Sequence, residues 1–161
     1  MAAAAQMRPD LHLVRRVITR PEEAGGEPFE GVDAAEFARR AARGEFALHW
    51  CAHGLRYGIP AGVRDSLSAG HDAVFNTSRA MLEEAARAFP GLRVIHVTAR
   101  PETLAARLSA RGRETPDDIA RRLARAPVPI PGCLAVDEID NSGLLEDAVA
   151  AFLAVLKPVR A

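Results

Sequence analysis

The chain of 161 residues carries 21 basic and 21 acidic side chains, a formal net charge of zero, which excludes a broad basic face for nucleic acid and an acidic disordered tail. With 48% apolar residues it can build one core without a disulfide or metal staple, and its two cysteines, Cys51 and Cys133, form no disulfide framework. No run approaches the ~18 apolar residues of a membrane span and residues 1–7 are too short for a signal peptide, so the composition reads as a soluble, single-domain protein of the reducing cytoplasm.

In chain order, Leu11 to Thr19 mixes alternation with β-branched residues and reads as a strand, ended by Arg20-Pro21 because a residue before proline avoids the helical region. Residues 21–32 hold Pro21, Gly25, Gly26, Pro28 and Gly31, which reads as a loop. Asp33-Ala-Ala-Glu36 is a capping-box pattern, and Phe37, Ala38, Ala41 and Ala42 give a helix its apolar stripe, closed at Gly44. Phe46 to His53 and Tyr57 to Ile59 read as two strands of a hairpin turning at residues 53–56. Pro60 opens a helix that ends at Gly70. A short apolar run over residues 72–77 leads into a helix from Arg79 to Phe89. Arg93 to Thr98 is another strand, Pro101 to Arg111 another helix, and Thr115-Pro116-Asp117-Asp118 caps a helix that Pro127, Pro129 and Pro131 stop. A strand over Leu134 to Ile139 and an amphipathic helix over Leu144 to Leu156 complete the chain. Strands and helices alternate from about residue 60, so the expected architecture is α/β, a parallel sheet flanked by helices, with residues 20–60 as an inserted excursion.

Of the 21 basic residues 20 are arginine, and Lys157 is the single lysine. Eight arginines against four acids lie between Arg93 and Ala126, and six of them, Arg107, Arg111, Arg113, Arg121, Arg122 and Arg125, make an arginine-rich pair of helices broken at residues 112–116. Guanidinium forks match phosphate oxygens, and a hinge between two such helices could close over a polyphosphate, as a kinase lid does. The competing reading is a solvated surface with intrahelical ion pairs. His49, Cys51 and His53 alternate along one strand and invite a zinc reading. Successive ligands on an extended strand diverge by more than about 6 Å, so a half-buried strand is the better reading and no metal site is expected.

Ile18-Thr-Arg-Pro21, Gly44-Glu-Phe46, His53-Gly54-x-x-Tyr57-Gly58, Arg107-Leu-x-x-Arg-Gly112 and Arg122-Leu-x-x-Ala126, read in order, resemble the guanylate kinase superfamily from about Val14 to Leu156. Within it, Trp50-x-x-His-Gly-Leu-x-Tyr-Gly and Asn76-Thr-Ser-Arg-Ala80 look more like the ribose 1,5-bisphosphate phosphokinases, which use ATP to make phosphoribosyl diphosphate in phosphonate breakdown. The resemblance implies a guanylate kinase type of P-loop kinase fold, with an acceptor-binding insertion over about 20–60 and a lid over about 111–126. It implies that Arg20 and Tyr57 hold the acceptor's phosphate, that Arg111 and Arg122 close on the transferred phosphoryl group as catalytic residues, and that Asn141 lies near adenine. ATP and Mg²⁺ are the implied cofactors, and a phosphorylated sugar the implied small-molecule partner.

Two departures bear on the acceptor. By matching, the superfamily's guanine-reading Glu falls on Leu48 and the second phosphate-binding Arg on Glu23. Leucine cannot accept from a guanine's ring N–H and amine, so guanylate specificity is not expected. A third departure is at the front: no Gly precedes Gly25, and no lysine is placed to serve a phosphate loop Gly-x-x-x-x-Gly-Lys. The expectation is a chain read from too late a start, with residues 2–7 as the tail of the preceding helix. As it stands, such a chain is expected to turn ATP over poorly and to pair through an exposed sheet edge as a homodimer. The rival readings are a guanylate kinase of altered specificity and a non-catalytic binding module that keeps the acceptor cleft.

Overall fold

The computed structural model describes residues 1–24, 27–110, 112, 115–124 and 129–156; the side chains of residues 24, 118 and 122 are outside it. Met1–Leu92 make up one compact unit and the chain from Arg93 to Lys157 a second.

The first unit begins with helix α1 (Ala2–Met7), followed by strands β1 (His12–Leu13) and β2 (Arg16–Ile18). The single strand expected over Leu11 to Thr19 is therefore two. β1 pairs in parallel with β6 (Ala73–Val74), while β2 lies between β3 (Phe29–Gly31), parallel to it, and β5 (Leu55–Pro60), antiparallel. Between them, the Val14 N–H still donates to the Val74 carbonyl at 3.0 Å and the Val14 side chain enters the core, so the chain changes sheets at Arg15. β3 is a second correction, because it lies inside the segment expected to be a loop. Gly31, which reads as punctuation, ends that strand in close packing: a Cβ there would come within 2.6 Å of the Arg20 carbonyl oxygen.

Helix α2 (Ala34–Ala42) starts where expected, with Asp33 Oδ1 accepting from the Glu36 N–H at 2.7 Å. The Glu36 carboxylate turns to Arg39 at 2.6 Å, and Gly44 closes the helix at φ +72°. Strand β4 (Phe46–Ala52) and β5 form the expected hairpin, whose turn residues His53 and Gly54 both have positive φ (53° and 74°), the conformation whose twist matches that of the strands. Pro60 ends β5 opposite Phe46 instead of opening a helix; as the last strand residue it forfeits little by lacking an N–H. Helix α3 (Val63–Ser68) begins three residues later, and Gly70 follows it at φ +86°. A 3₁₀ turn over Arg79–Met81, capped by Ser78, runs into α4 (Leu82–Ala88).

The four-stranded sheet has order β3-β2-β5-β4 and two covered faces. Val17, Phe37 and Phe46 pack on the α2 side, with the Phe37 and Phe46 rings stacked at 4.7 Å. A register irregularity between Phe46 and Leu48 lets Phe46 face α2 while Leu48 and Trp50 face the other way, onto Val14, Ile59, Val63, Ala85 and Phe89.

In the second unit, strands β7 (Val94–Thr98) and β8 (Val136–Asp140) are parallel and pair from Val94 with Val136 to Thr98 with Asp140. Helices α5 (Pro101–Ala110), α6 (Pro116–Ala124) and α7 (Leu145–Val155) accompany them, close to the expected bounds. Gly112 separates α5 from α6 at φ +64°, a conformation that glycine adopts without strain. Leu108, Ile119, Ile139, Val149 and Phe152 are buried. Arg93 ties the unit together, donating to Asp137 Oδ2 and to the Val155 carbonyl at the end of α7, both at 2.8 Å.

Candidate active site

Side chains alternate along a strand, so the registers of the four-stranded sheet settle which residues share a face. Ile18 lies opposite Tyr57, Tyr57 opposite Trp50, and Arg16 opposite Phe29. Arg16, Ile18, Phe29, Trp50 and Tyr57 therefore project from one face. The Trp50 and Tyr57 rings stack at 5.3 Å and 11°, and the Arg20 guanidinium caps the buried Phe29 ring at 4.4 Å. Arg20 and Tyr57, the two residues expected to hold an acceptor phosphate, thus stand on the same face, over an aromatic floor.

Arg16 was not among the expected site residues, and the structure puts it in the middle of them. Its guanidinium lies 5.2 Å from the Tyr57 ring centroid and 5.9 Å from that of Trp50. It pairs with Glu27, whose other carboxylate oxygen accepts from Asn76 Nδ2 at 2.9 Å, and it donates to the Asn76 carbonyl at 3.3 Å. The cluster joins β2, the segment before β3 and the segment after β6, three places far apart in sequence. A signal was legible: Arg16 and Ile18 alternate with Val17, which puts Arg16 on the face of Ile18 and its partner Tyr57. The buried Thr77 hydroxyl, beside Asn76, has no hydrogen-bond partner, so the same region retains an unused polar group.

Leu48 is 7% exposed and belongs to the apolar cluster with Trp50 and Ile59. The position that would have to accept from a guanine base is hydrocarbon in a hydrocarbon setting. His49 packs edge-on to Phe37 at 6.4 Å, Cys51 is exposed, and His53 has left the strand for the turn. Among the described residues, no group of three or more His, Cys, Asp or Glu side chains is placed to hold a metal ion.

In the second unit Asn141 follows β8 directly, at the carboxyl ends of the parallel strands, where ligands of open α/β sheets collect. Its N–H donates to the Thr98 carbonyl at 2.8 Å, and its own carbonyl accepts from Arg107 at 2.7 Å. The backbone is thereby held on both sides, while Asn141 Oδ1 is buried without a hydrogen-bond partner. Next to it, Asp140 receives the Ser142 hydroxyl and the Ser142 N–H, which hold its carboxyl below the usual range, and Ser142 Oγ accepts from the Arg100 N–H at 2.7 Å. Arg107, expected to line a phosphate-closing arm, serves as a strut for this loop. Arg111 lies outside the described residues, as does the side chain of Arg122, which sits on α6.

No family model matches the chain. The chain is 52% identical over 149 residues to the ribose 1,5-bisphosphate phosphokinase of Rhizobium etli, covering 92% of this chain and 76% of the relative. The chain belongs to the ribose 1,5-bisphosphate phosphokinase family. Its members are kinases. A second member, from a Ruegeria species, is 48% identical over 162 residues and covers all of the chain and 85% of its own length. The family's sequence also occurs fused: a bifunctional ribose 1,5-bisphosphokinase-thymidine phosphorylase of Cupriavidus necator is 43% identical, the match spanning 96% of this chain and 26% of that protein. Among solved structures, guanylate kinase from Anaplasma phagocytophilum superposes with a TM-score of 0.65 at 18% identity, over 95% of this chain and 80% of that one. The phosphokinase family thus has the guanylate kinase fold. No helix of the described residues is long and apolar enough to cross a membrane.

Proposed function

We propose that this chain transfers the γ-phosphoryl group of ATP to the 1-phosphate of ribose 1,5-bisphosphate, giving phosphoribosyl diphosphate and ADP, in the breakdown of phosphonates. The observation that carries the choice of acceptor is the burial of Leu48 in an apolar cluster, with the cationic groups of Arg20 and Arg16 on the same sheet face. A guanine base set against Leu48 would leave its donors unpaired, at a cost of about 1–3 kcal/mol per buried group. A sugar bisphosphate has no such donors and needs cations instead.

In this reading Arg20 and the Tyr57 hydroxyl bind and orient the acceptor's 1-phosphate. Arg111 and Arg122 neutralise charge spreading over the transferred group, since phosphoryl transfer relies on positioning and electrostatics more than on covalent help. One oxygen of the 1-phosphate forms the new P–O bond as the bond to the ADP oxygen breaks. Asn141 Oδ1, buried and unused, fits an amine donor such as the exocyclic nitrogen of adenine. Bound ATP supplies the phosphoryl group, and Mg²⁺ enters with its phosphates, being an ion that takes few protein ligands.

Equilibrium titration with ribose 1,5-bisphosphate and with GMP, together with a coupled assay of ADP release for each, tests the proposal. Tighter binding and faster turnover of the sugar bisphosphate are expected. Preference for GMP over the sugar bisphosphate in binding overturns the reading.

A further inference from the structure

A sugar bisphosphate brings two anionic groups to the cleft, and Arg20 with Tyr57 accounts for one. Arg15 projects from the opposite side of β2 and is used by Glu22, at 2.9 Å, and by the Phe29 carbonyl. Of the arginines on β2 itself, Arg16 alone shares the face of Tyr57. Its side chain is 13% exposed, so it is held in a medium where an ion pair is stronger than in water. Its charge-assisted partners leave donors over: Glu27 and the Asn76 carbonyl take one edge each, and the buried Nε has no hydrogen-bond partner. An arginine with five N–H groups that is half-buried, stacked on two aromatic rings and incompletely bonded is poised to take an anion.

We propose that Arg16 is the second anion anchor of the acceptor site, the residue that distinguishes a bisphosphate from a monophosphate, with Glu27 and Asn76 orienting its guanidinium over Trp50 and Tyr57. The assignment rests on the substrate reading above. Arg16 opens β2 and stacks on the Tyr57 and Trp50 rings, whereas Arg20 lies beyond the end of β2 over the Phe29 ring, so the two cations serve different groups of one ligand. Glu27 offsets the positive charge when the cleft is empty. Because Asn76 also bonds Glu27, the carboxylate has a partner left when an anion competes for Arg16.

The test is equilibrium titration of the whole chain and its Arg16→Gln and Glu27→Gln variants with ribose 1,5-bisphosphate and with ribose 1-phosphate, which lacks the group assigned to Arg16, alongside thermal unfolding. The unsubstituted chain is expected to prefer the bisphosphate by about ten-fold or more, as one charge-assisted contact of about 1.5–3 kcal/mol implies. Arg16→Gln should abolish that preference while keeping ribose 1-phosphate affinity within about three-fold, and Glu27→Gln should keep the preference. If Arg16→Gln retains the preference, Arg16 is only a structural partner of Glu27 and the assignment falls while the substrate reading stands. If the unsubstituted chain shows no preference, both fall. Should Arg16→Gln not fold, Arg16→Met keeps the apolar stem over the rings and removes the charge; an undiminished preference in that variant overturns the assignment equally.

Discussion

Trp50 and Tyr57 face each other across the β4–β5 hairpin with their rings nearly parallel, 5.3 Å apart, and this pair is where core and candidate site meet. Trp50 is buried against Leu48, Ile59 and Val63, whereas Tyr57 is half-buried and carries a hydroxyl. The pair lets a functional group stand on a rigid floor without being buried itself.

Tyr57→Phe keeps the stack and removes only the hydroxyl. Unfolding in urea should be nearly unchanged, while acceptor affinity falls by roughly ten-fold or more, as expected for one hydrogen bond to a charged group. Trp50→Ala should do the reverse in emphasis, lowering stability by about 3–5 kcal/mol. Equal affinity losses without a stability difference would separate neither role and would contradict the division.

Gly58 faces the Phe46 ring so closely that a Cβ would lie 2.6 Å from its carbons. Phe46 is itself stacked on Phe37 and capped by Arg40 at 5.4 Å, so it has little room to retreat. Gly58→Ala should therefore cost about 1–3 kcal/mol through overpacking, read from the denaturant midpoint. Gly91→Ala, with nothing within 4 Å, is the control and should change little.

Asn141→Ala removes a buried acceptor that has no partner and leaves both backbone hydrogen bonds of residue 141 in place. The melting temperature should hold or rise, because an unsatisfied buried polar group costs about 1–3 kcal/mol. ATP affinity, measured by titration, should fall. A variant that binds ATP as before removes Asn141 from the nucleotide site.

Asp140 has its carboxyl lowered from the ordinary 3.8, first by the Ser142 hydroxyl and then by the Ser142 N–H. A lowered folded-state value means that the unfolded chain binds the proton more readily, so the contribution is fully present above about pH 4 and is lost as pH falls through the lowered value. Asp140→Asn should flatten the acid limb of the stability profile below that point. An acid limb as steep as in the unsubstituted chain would show that Asp140 is not the group responsible.

The local signals were the legible ones. Asp33 with Glu36 marked the start of α2, His53-Gly54 the hairpin turn, and Gly112 the break between α5 and α6, because each depends on conformational preferences of one to four adjacent residues. Arg20 and Tyr57 were singled out by motif; the face of Tyr57 follows from register, and Arg20 is placed by its contact with Phe29. β3 escaped notice because Pro28 and Gly31 are loop-forming residues that tertiary contacts use otherwise: Gly31 is needed for the approach of the Arg20 carbonyl. The change of sheets at Arg15 was hidden for the same reason, since nothing in Leu11 to Thr19 says which strands lie alongside.

By itself, the order of residues determined the family and the alternation of strands and helices, both of which depend on residue identity and short-range spacing. Only the tertiary structure decided that Arg16 joins Glu27 and Asn76, and that Arg107 holds the Asn141 carbonyl. Those roles depend on which distant backbone groups and charges come within hydrogen-bond reach. That depends on strand register and packing, which a linear pattern of polar and apolar residues does not encode.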